Sequence, residues 1–227
     1  MCGRFTLTTT GQQLKEFFPL LDELPTSTAR YNIAPTQNVL VVRDATEKEA
    51  KPQAAWMRWG LIPSWANDKK IGAGLINARA DGVATKPAFR AAFKRRRCLV
   101  LADGFYEWKR EPGKKTKQPF YFRRKDSAPF AFAGLWEHWE GEEAAIDSCT
   151  IITTDANKVL EPIHHRMPVI LDPRDYTKWI DGSPKDPALL KELLQPSPAE
   201  DLVAVAIGTH VNNARNEGVD CLIPLSA

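Results

Sequence analysis

The chain has 227 residues, with 31 Lys and Arg against 28 Asp and Glu, for a net charge of +3. Its 43% hydrophobic and 26% charged residues exclude a disordered polymer. No apolar run approaches the ~20 residues that span a bilayer, and the N-terminus lacks the apolar stretch of a secretory signal. The expectation is one continuous domain over 1–227, cytoplasmic and without membrane attachment.

The small net charge conceals an asymmetry. Between Lys86 and Lys125 lie 14 Lys and Arg and 3 acidic residues, whereas the other 187 residues carry 17 basic and 25 acidic side chains. A basic block in an acidic chain points to a polyanionic partner. The competing explanation is a solvated helix and hairpin that are merely Lys-rich, with Lys94 to Arg97 and Lys114, Lys115 and Lys117 as a mildly attractive rim.

In chain order, Thr8 to Phe18 predicts a short helix stopped by Pro19. Val39 to Arg43 and Ala54 to Trp59 read as strands, and Gly60 to Ser64 as a loop. Pro87 is expected to open a helix through about Arg97, with Phe89 and Phe93 on one face. Cys98 to Ala102, Phe105 to Lys109, Pro119 to Arg124 and Phe130 to Leu135 follow as strands, with a turn at Glu111-Pro112-Gly113-Lys114. Ile146 to Thr154 and Leu202 to Ile207 are further strands. Between these last two, helices are expected at Asp155 to Leu160, Pro173 to Ile180 and Pro187 to Leu194. Strands dominate without regular βαβ alternation. The expected class is therefore α+β, a curved, mostly antiparallel sheet or barrel-like core flanked by helices.

Cys2, Cys98, Cys149 and Cys221 show no Cys-x-x-Cys spacing, and no Cys or His cluster has zinc-site spacing. No metal or organic cofactor is indicated. Cys98 and Cys149 sit in apolar, β-rich runs and read as small hydrophobes. Cys2 differs because removal of Met1 would give it a free α-amine beside its thiol. With reference pKa values near ~7.7–8.0 and ~8.5, both groups are partly reactive at neutral pH.

Downstream, Asn77 and Arg79 lie two apart and share a side of an extended segment. Glu107 stands among aromatics, where desolvation raises a carboxyl pKa towards general-acid use. His164 and His165 supply imidazoles before an apolar strand. Each also has a structural reading: Asn77 as a turn cap, Glu107 as an ion-pair partner, His164 as a satisfier of backbone groups. Trp56, Trp59, Trp136, Trp139 and Trp179 read as core or partly buried surface. Trp65 and Trp108 are better placed to stack on bases, which contributes ~1–3 kcal/mol per base, with a loop residue folded onto the core as the competing reading for Trp65.

Seven segments occur in order: Met1-Cys2-Gly3-Arg4-Phe5, Tyr31 to Thr36, Trp59 to Trp65, Ile76-Asn77-Ala78-Arg79, Arg97 to Val100 leading into Ala102 to Trp108, Ile163 to Pro168, and Val211-Asn212. Together they resemble the SOS response-associated peptidase (SRAP) family, nearly end to end. The resemblance implies covalent capture of abasic sites in single-stranded DNA. The Cys2 amine condenses with the sugar aldehyde and its thiol closes a thiazolidine, a ring that neither a lysine nor an internal cysteine can make.

Carried over by motif, Asn77 positions the Cys2 amine or a sugar oxygen, Glu107 is the acid/base, and His164 protonates the ring oxygen or assists reversal. Arg4 and Arg79 hold phosphates flanking the lesion. Pro35, Trp65 and Trp108 wedge or stack DNA near a single-strand/duplex junction, and Thr153 matches a site position. The chain departs at His165, where many relatives have Asp. The family name also implies peptidase action, read as autocatalytic removal of Met1. The expected partner is single-stranded DNA containing abasic sites, the expected state is a monomer, and nucleoid association is expected when DNA is bound. Two other readings are an N-terminal-nucleophile (glutamine-type) amidohydrolase and a non-covalent single-stranded DNA-binding module.

Overall fold

The computed structural model describes residues 2–44, 51–113, 116–142, 144–183 and 186–225. Met1, Lys114 and Lys115 lie outside the described residues. In chain order the elements are β1 (Phe5–Leu7), α1 (Gly11–Phe17), β2 (Arg30–Ile33), β3 (Asn38–Arg43), β4 (Gln53–Trp59), β5 (Asn77–Arg79) and α2 (Arg90–Arg95). They continue with β6 (Arg97–Ala102), β7 (Gly104–Lys109), β8 (Gln118–Arg124), β9 (Phe130–Glu140), β10 (Ala145–Asp155), β11 (Arg166–Pro168), α3 (Tyr176–Ile180), α4 (Pro187–Glu192) and β12 (Leu202–Ala206).

One sheet runs β11-β10-β4-β3-β6-β9, and β9 pairs again with β10, so β10, β4, β3, β6 and β9 close on themselves as a barrel. Closure leaves the inner strands buried, which is why β3 and β6 are nearly continuous apolar runs rather than alternating ones. At Gly134 of β9 the barrel interior leaves no room for a side chain: a Cβ there would lie 2.8 Å from Cys98 Sγ. The second sheet, β12-β8-β7-β1-β2, is antiparallel throughout. Phe5 of β1 locks it to the barrel, its ring meeting Trp59 at 5.1 Å and Phe132 at 5.8 Å edge-on. The expected α+β class with a barrel-like core is thus observed.

Several local expectations need correction. The helix expected over Pro87 to Arg97 is α-helical only over Arg90–Arg95. Pro87 to Phe89 form turns, and Arg97 already starts β6. Arg97 is fully buried and is no part of a solvated rim. Its guanidinium donates to the carbonyls of Phe93 (2.8 Å), Lys94 (2.6 Å), Trp179 (2.7 Å) and Asp181, gathering the ends of α2 and α3.

No helix forms at Asp155 to Leu160. The strand continues through Asp155, and Asn157 folds the following residues into turns, its Oδ1 accepting from the N–H of Val159 and Leu160. Pro162 then disfavours helix at Glu161. Trp56 is 39% exposed, not core, whereas Trp59 and Trp179 are fully buried. Cys98 and Cys149 are buried free thiols, as are Cys2 and Cys221. Among the described residues no helix is long and apolar enough to cross a membrane.

Candidate functional site

Cys2 is buried at the seam between the two sheets. On one side the chain continues the β1–β7 ladder, with Arg4 O accepting from Tyr106 N–H at 3.0 Å, which brings Cys2 alongside the end of β7. Alternation along β7 turns Phe105 and Glu107 to one face and Tyr106 and Trp108 to the other. Phe105 stacks on Phe122 inside the core, and Glu107 shares that buried side.

On its other side Cys2 is held from the barrel. Asn77 Nδ2 donates to Cys2 O at 2.8 Å. Asn77 is itself fixed because β5 runs parallel to β10, with Asn77 opposite Ile151, and because Trp59 Nε1 and Ile151 N both donate to Ile76 O. The Asn77 Oδ1 atom is buried with no hydrogen-bond partner among the described residues. A buried amide oxygen left in this state is a strong acceptor awaiting a donor.

The N-terminal segment is anchored just beyond the site. Asp103 accepts from the Thr6 hydroxyl (2.6 Å) and from the N–H groups of Thr8 (2.5 Å) and Thr9 (2.8 Å), with both of their hydroxyls adding to the set. Gly104 keeps this hub compact: a Cβ there would lie 2.2 Å from the Tyr121 hydroxyl, which contacts Thr6. Arg4 donates to Asn32 Oδ1 (2.7 Å) and Val211 O (2.8 Å), and lies 5.7 Å over the Trp108 ring. Asn32 in turn donates to the carbonyls of Asn213 (3.0 Å) and Asn216 (2.9 Å), while Trp108 Nε1 donates to Asn212 Oδ1 (2.7 Å).

Burial sets the local acidities. Desolvation raises the Glu107 carboxyl above its ordinary value. Desolvation and then the adjacent Glu107 hold the Cys2 thiol far above an ordinary thiol, so it rests protonated. Desolvation lowers the half-buried His164 imidazole. Arg166 offers His164 Nδ1 both its N–H (3.0 Å) and its carbonyl (3.1 Å), so Nδ1 finds a partner as acceptor or as donor. The exposed His165 ring stacks on His164 at 4.5 Å. Lys117 lowers the pKa of Glu107 and of His164, so one cation influences both acid/base groups.

Two clefts are lined by residues next to Cys2 or bonded to it, although the buried Cys2 itself lines neither. One, of about 350 Å³, is lined by Gly3, Arg4, Trp108, Thr116, Lys117 and Asn212. The other, of about 440 Å³, includes Trp65, Asn77, Arg79, Lys86 and Phe89 in its wall. Trp65 is 59% exposed. Its loop is set by Gly60, whose φ of 124° and approach to Gly72, where a Cβ would lie 2.5 Å from the carbonyl oxygen, exclude a side chain. Pro35 is half-buried in the turn between β2 and β3 and is not among the residues of either cleft. Thr153 is fully buried, its carbonyl accepting from Ala80 N–H (2.9 Å) and Arg166. Among the described residues no group of three His, Cys, Asp or Glu side chains is arranged to hold a metal ion.

Sequence reasoning assigned no role to Asp103, Asn32 or Arg166, and set Lys117 aside as rim. Asn32 and Asp103 stood inside the quoted segments, but their buried partners are 28 to 184 residues away in sequence, and no spacing pattern encodes that.

The chain belongs to the SOS response associated peptidase (SRAP) family, whose model matches residues 1–214. It is 42% identical to the abasic site processing protein YoqW of Bacillus subtilis (strain 168), over 98% of this chain and 99% of that one. It is 35% identical to the abasic site processing protein HMCES of Pongo abelii, over 86% of this chain and 65% of that one. Among solved structures, a phage-related protein from Bordetella bronchiseptica is 28% identical with a TM-score of 0.71, covering 91% of this chain and 94% of that one. A protein from Bacteroides thetaiotaomicron, 24% identical, shares the fold with a TM-score of 0.83 over 99% of this chain and 100% of that one.

Proposed function

We propose that this protein processes abasic sites in single-stranded DNA by forming a thiazolidine between the lesion and Cys2. The observation that carries the reading is the Asn77–Cys2 contact at 2.8 Å beside a buried carboxyl of raised pKa. Met1 is removed first, by an aminopeptidase or by attack of the Cys2 thiol on the Met1 carbonyl, which breaks the amide to free the Cys2 amine and leaves a thioester that water hydrolyses to methionine and the thiol. The freed amine then adds to the C1 aldehyde of the open sugar while Asn77 Oδ1 accepts a hydrogen bond from it, and one amine proton passes to the aldehyde oxygen to give the carbinolamine. Protonated Glu107 gives its proton to the carbinolamine hydroxyl, which leaves as water and generates the iminium. The Cys2 sulfur adds to the iminium carbon and its proton returns to Glu107. One water is lost in total, and Glu107 ends as it began.

His164, held at Nδ1 by Arg166, exchanges protons through Nε2 at the sugar oxygen during ring opening and during reversal. The strand lies across the two clefts, with Arg4 and Lys117 at phosphates on one side and Arg79 and Lys86 on the other. Trp108 and Trp65 stack bases, Pro35 borders a single-strand/duplex junction, and Thr153 supports Arg79, its partner in register on β5. The protein acts as a single domain and a monomer.

The test is a denaturing gel of the processed protein with intact and abasic oligonucleotides. The expected result is a heat-stable adduct with the abasic strand alone, lost in Cys2→Ala and in Cys2→Ser. Equal crosslinking by either variant would remove the thiazolidine from the account. Glutamine hydrolysis dependent on Cys2 would favour an amidohydrolase. Salt-sensitive binding indifferent to the aldehyde would favour a binding module.

A further inference from the structure

Arg79 is engaged before any nucleic acid arrives. Its Nε and Nη2 donate to Asp81 Oδ1 (3.2 Å) and Oδ2 (2.6 Å), a two-point pair occupying the fork that would grip a phosphate. The pair is built into the local chain: Gly82 N–H donates to Arg79 O at 3.1 Å, closing a turn that contains Asp81. Lys86 lies across Gly82, where a Cβ would stand 3.1 Å from its Cε, and Lys86 and Arg79 both line the Trp65 cleft. Asp81 is therefore the acidic side chain paired with one of the cleft's cations. Both partners are more than half exposed, with side-chain accessibilities of 53% and 59%. An exposed pair of this kind is weak enough for an incoming anion to replace it.

We infer that Asp81 is an internal competitor for the phosphate site of Arg79, a positioning and specificity residue that holds down affinity for undamaged strands. This rests on the proposed DNA-binding reading. A phosphate entering the Arg79 fork displaces the Asp81 carboxylate, which stays nearby and still offsets the cation. Intact DNA is thereby bound weakly and released. An abasic strand is retained because the covalent step at Cys2 does not depend on that phosphate contact once formed. Asp81 thus favours retention of damaged over intact strands without touching the lesion.

The experiment is a double-mutant cycle of Asp81→Asn and Arg79→Ala, measuring binding of an intact single-stranded oligonucleotide as a function of salt. Asp81→Asn alone is expected to tighten binding several-fold and to steepen the slope of log affinity against log salt by about 0.7, the value of one added phosphate contact. In the Arg79→Ala background the same change is expected to have less than a twofold effect. Affinity for the intact strand unmoved by Asp81→Asn would overturn the inference. So would equal tightening with and without Arg79, since Asp81 would then act only through general charge. Loss of abasic crosslinking in the wild-type protein would instead overturn the functional reading beneath it, so the two failures are separable.

Discussion

Glu107 is held in a place that suits chemistry better than stability. Burial keeps its proton on to a higher pH than in the unfolded chain, so the folded state binds more protons than the unfolded state through that window. Stability then falls as pH rises from the ordinary carboxyl range through the raised value. Glu107→Gln removes this titration. It should raise the thermal midpoint at neutral pH and flatten its decline with pH, while slowing crosslink formation about a hundredfold or more, the usual scale of general acid–base catalysis. Thermal melts across pH and single-turnover gels check the two halves. His164 has the opposite sign: its lowered pKa means stability is lost as pH falls below the ordinary imidazole value near ~6.5. His164→Gln should remove that acid-side loss and slow crosslink reversal. Cys2, Asn77, Glu107 and His164 were each legible in the sequence from residue type and segment. The orphaned Asn77 oxygen and the Arg166 clamp on His164 were not, because they depend on burial and on backbone geometry.

At the scale of elements, the N-terminal segment is positioned by parts remote in sequence. Asp103 collects five donors from Thr6, Thr8 and Thr9, and Asn32 ties Arg4 to the segment from Val211 to Asn216. Asp103→Ala leaves the buried Thr6 hydroxyl and the partly buried Thr8 and Thr9 donors without their acceptor and should cost about 3 kcal/mol in denaturant unfolding. Asn32→Ala should leave stability nearer wild type but lower the crosslinking rate, because Arg4 and its Trp108 contact lose their brace. The long apolar strands were readable because barrel closure buries them on both faces. Strands β1 and β2 were not, and β5 and β11 showed only as an extended segment and an apolar strand after His165, because all four are three or four residues long and defined by partners elsewhere in the chain. The missed turn after Asp155 has a different cause, a side chain competing with helix for the backbone N–H groups.

Across the whole molecule, the basic block is smaller than its count. Arg97 is internal, Arg96 pairs with Glu137 at 2.7 Å and Arg124 with Asp126 at 2.6 Å. The cations left facing a cleft include Lys86 and Lys117. Lys117→Gln should therefore weaken single-stranded DNA binding and reduce the salt slope by about 0.7, whereas Lys94→Gln should change affinity by less than twofold. In the proposed function the cleft cations draw in the strand, and the selectivity is assigned to Cys2. The most direct test is intact-mass spectrometry of the protein before and after reaction with an abasic oligonucleotide. The account predicts a reactive species lacking Met1 and an adduct equal to protein plus oligonucleotide minus one water, formed without borohydride. An adduct that retains Met1, or one seen only after borohydride reduction, would contradict it.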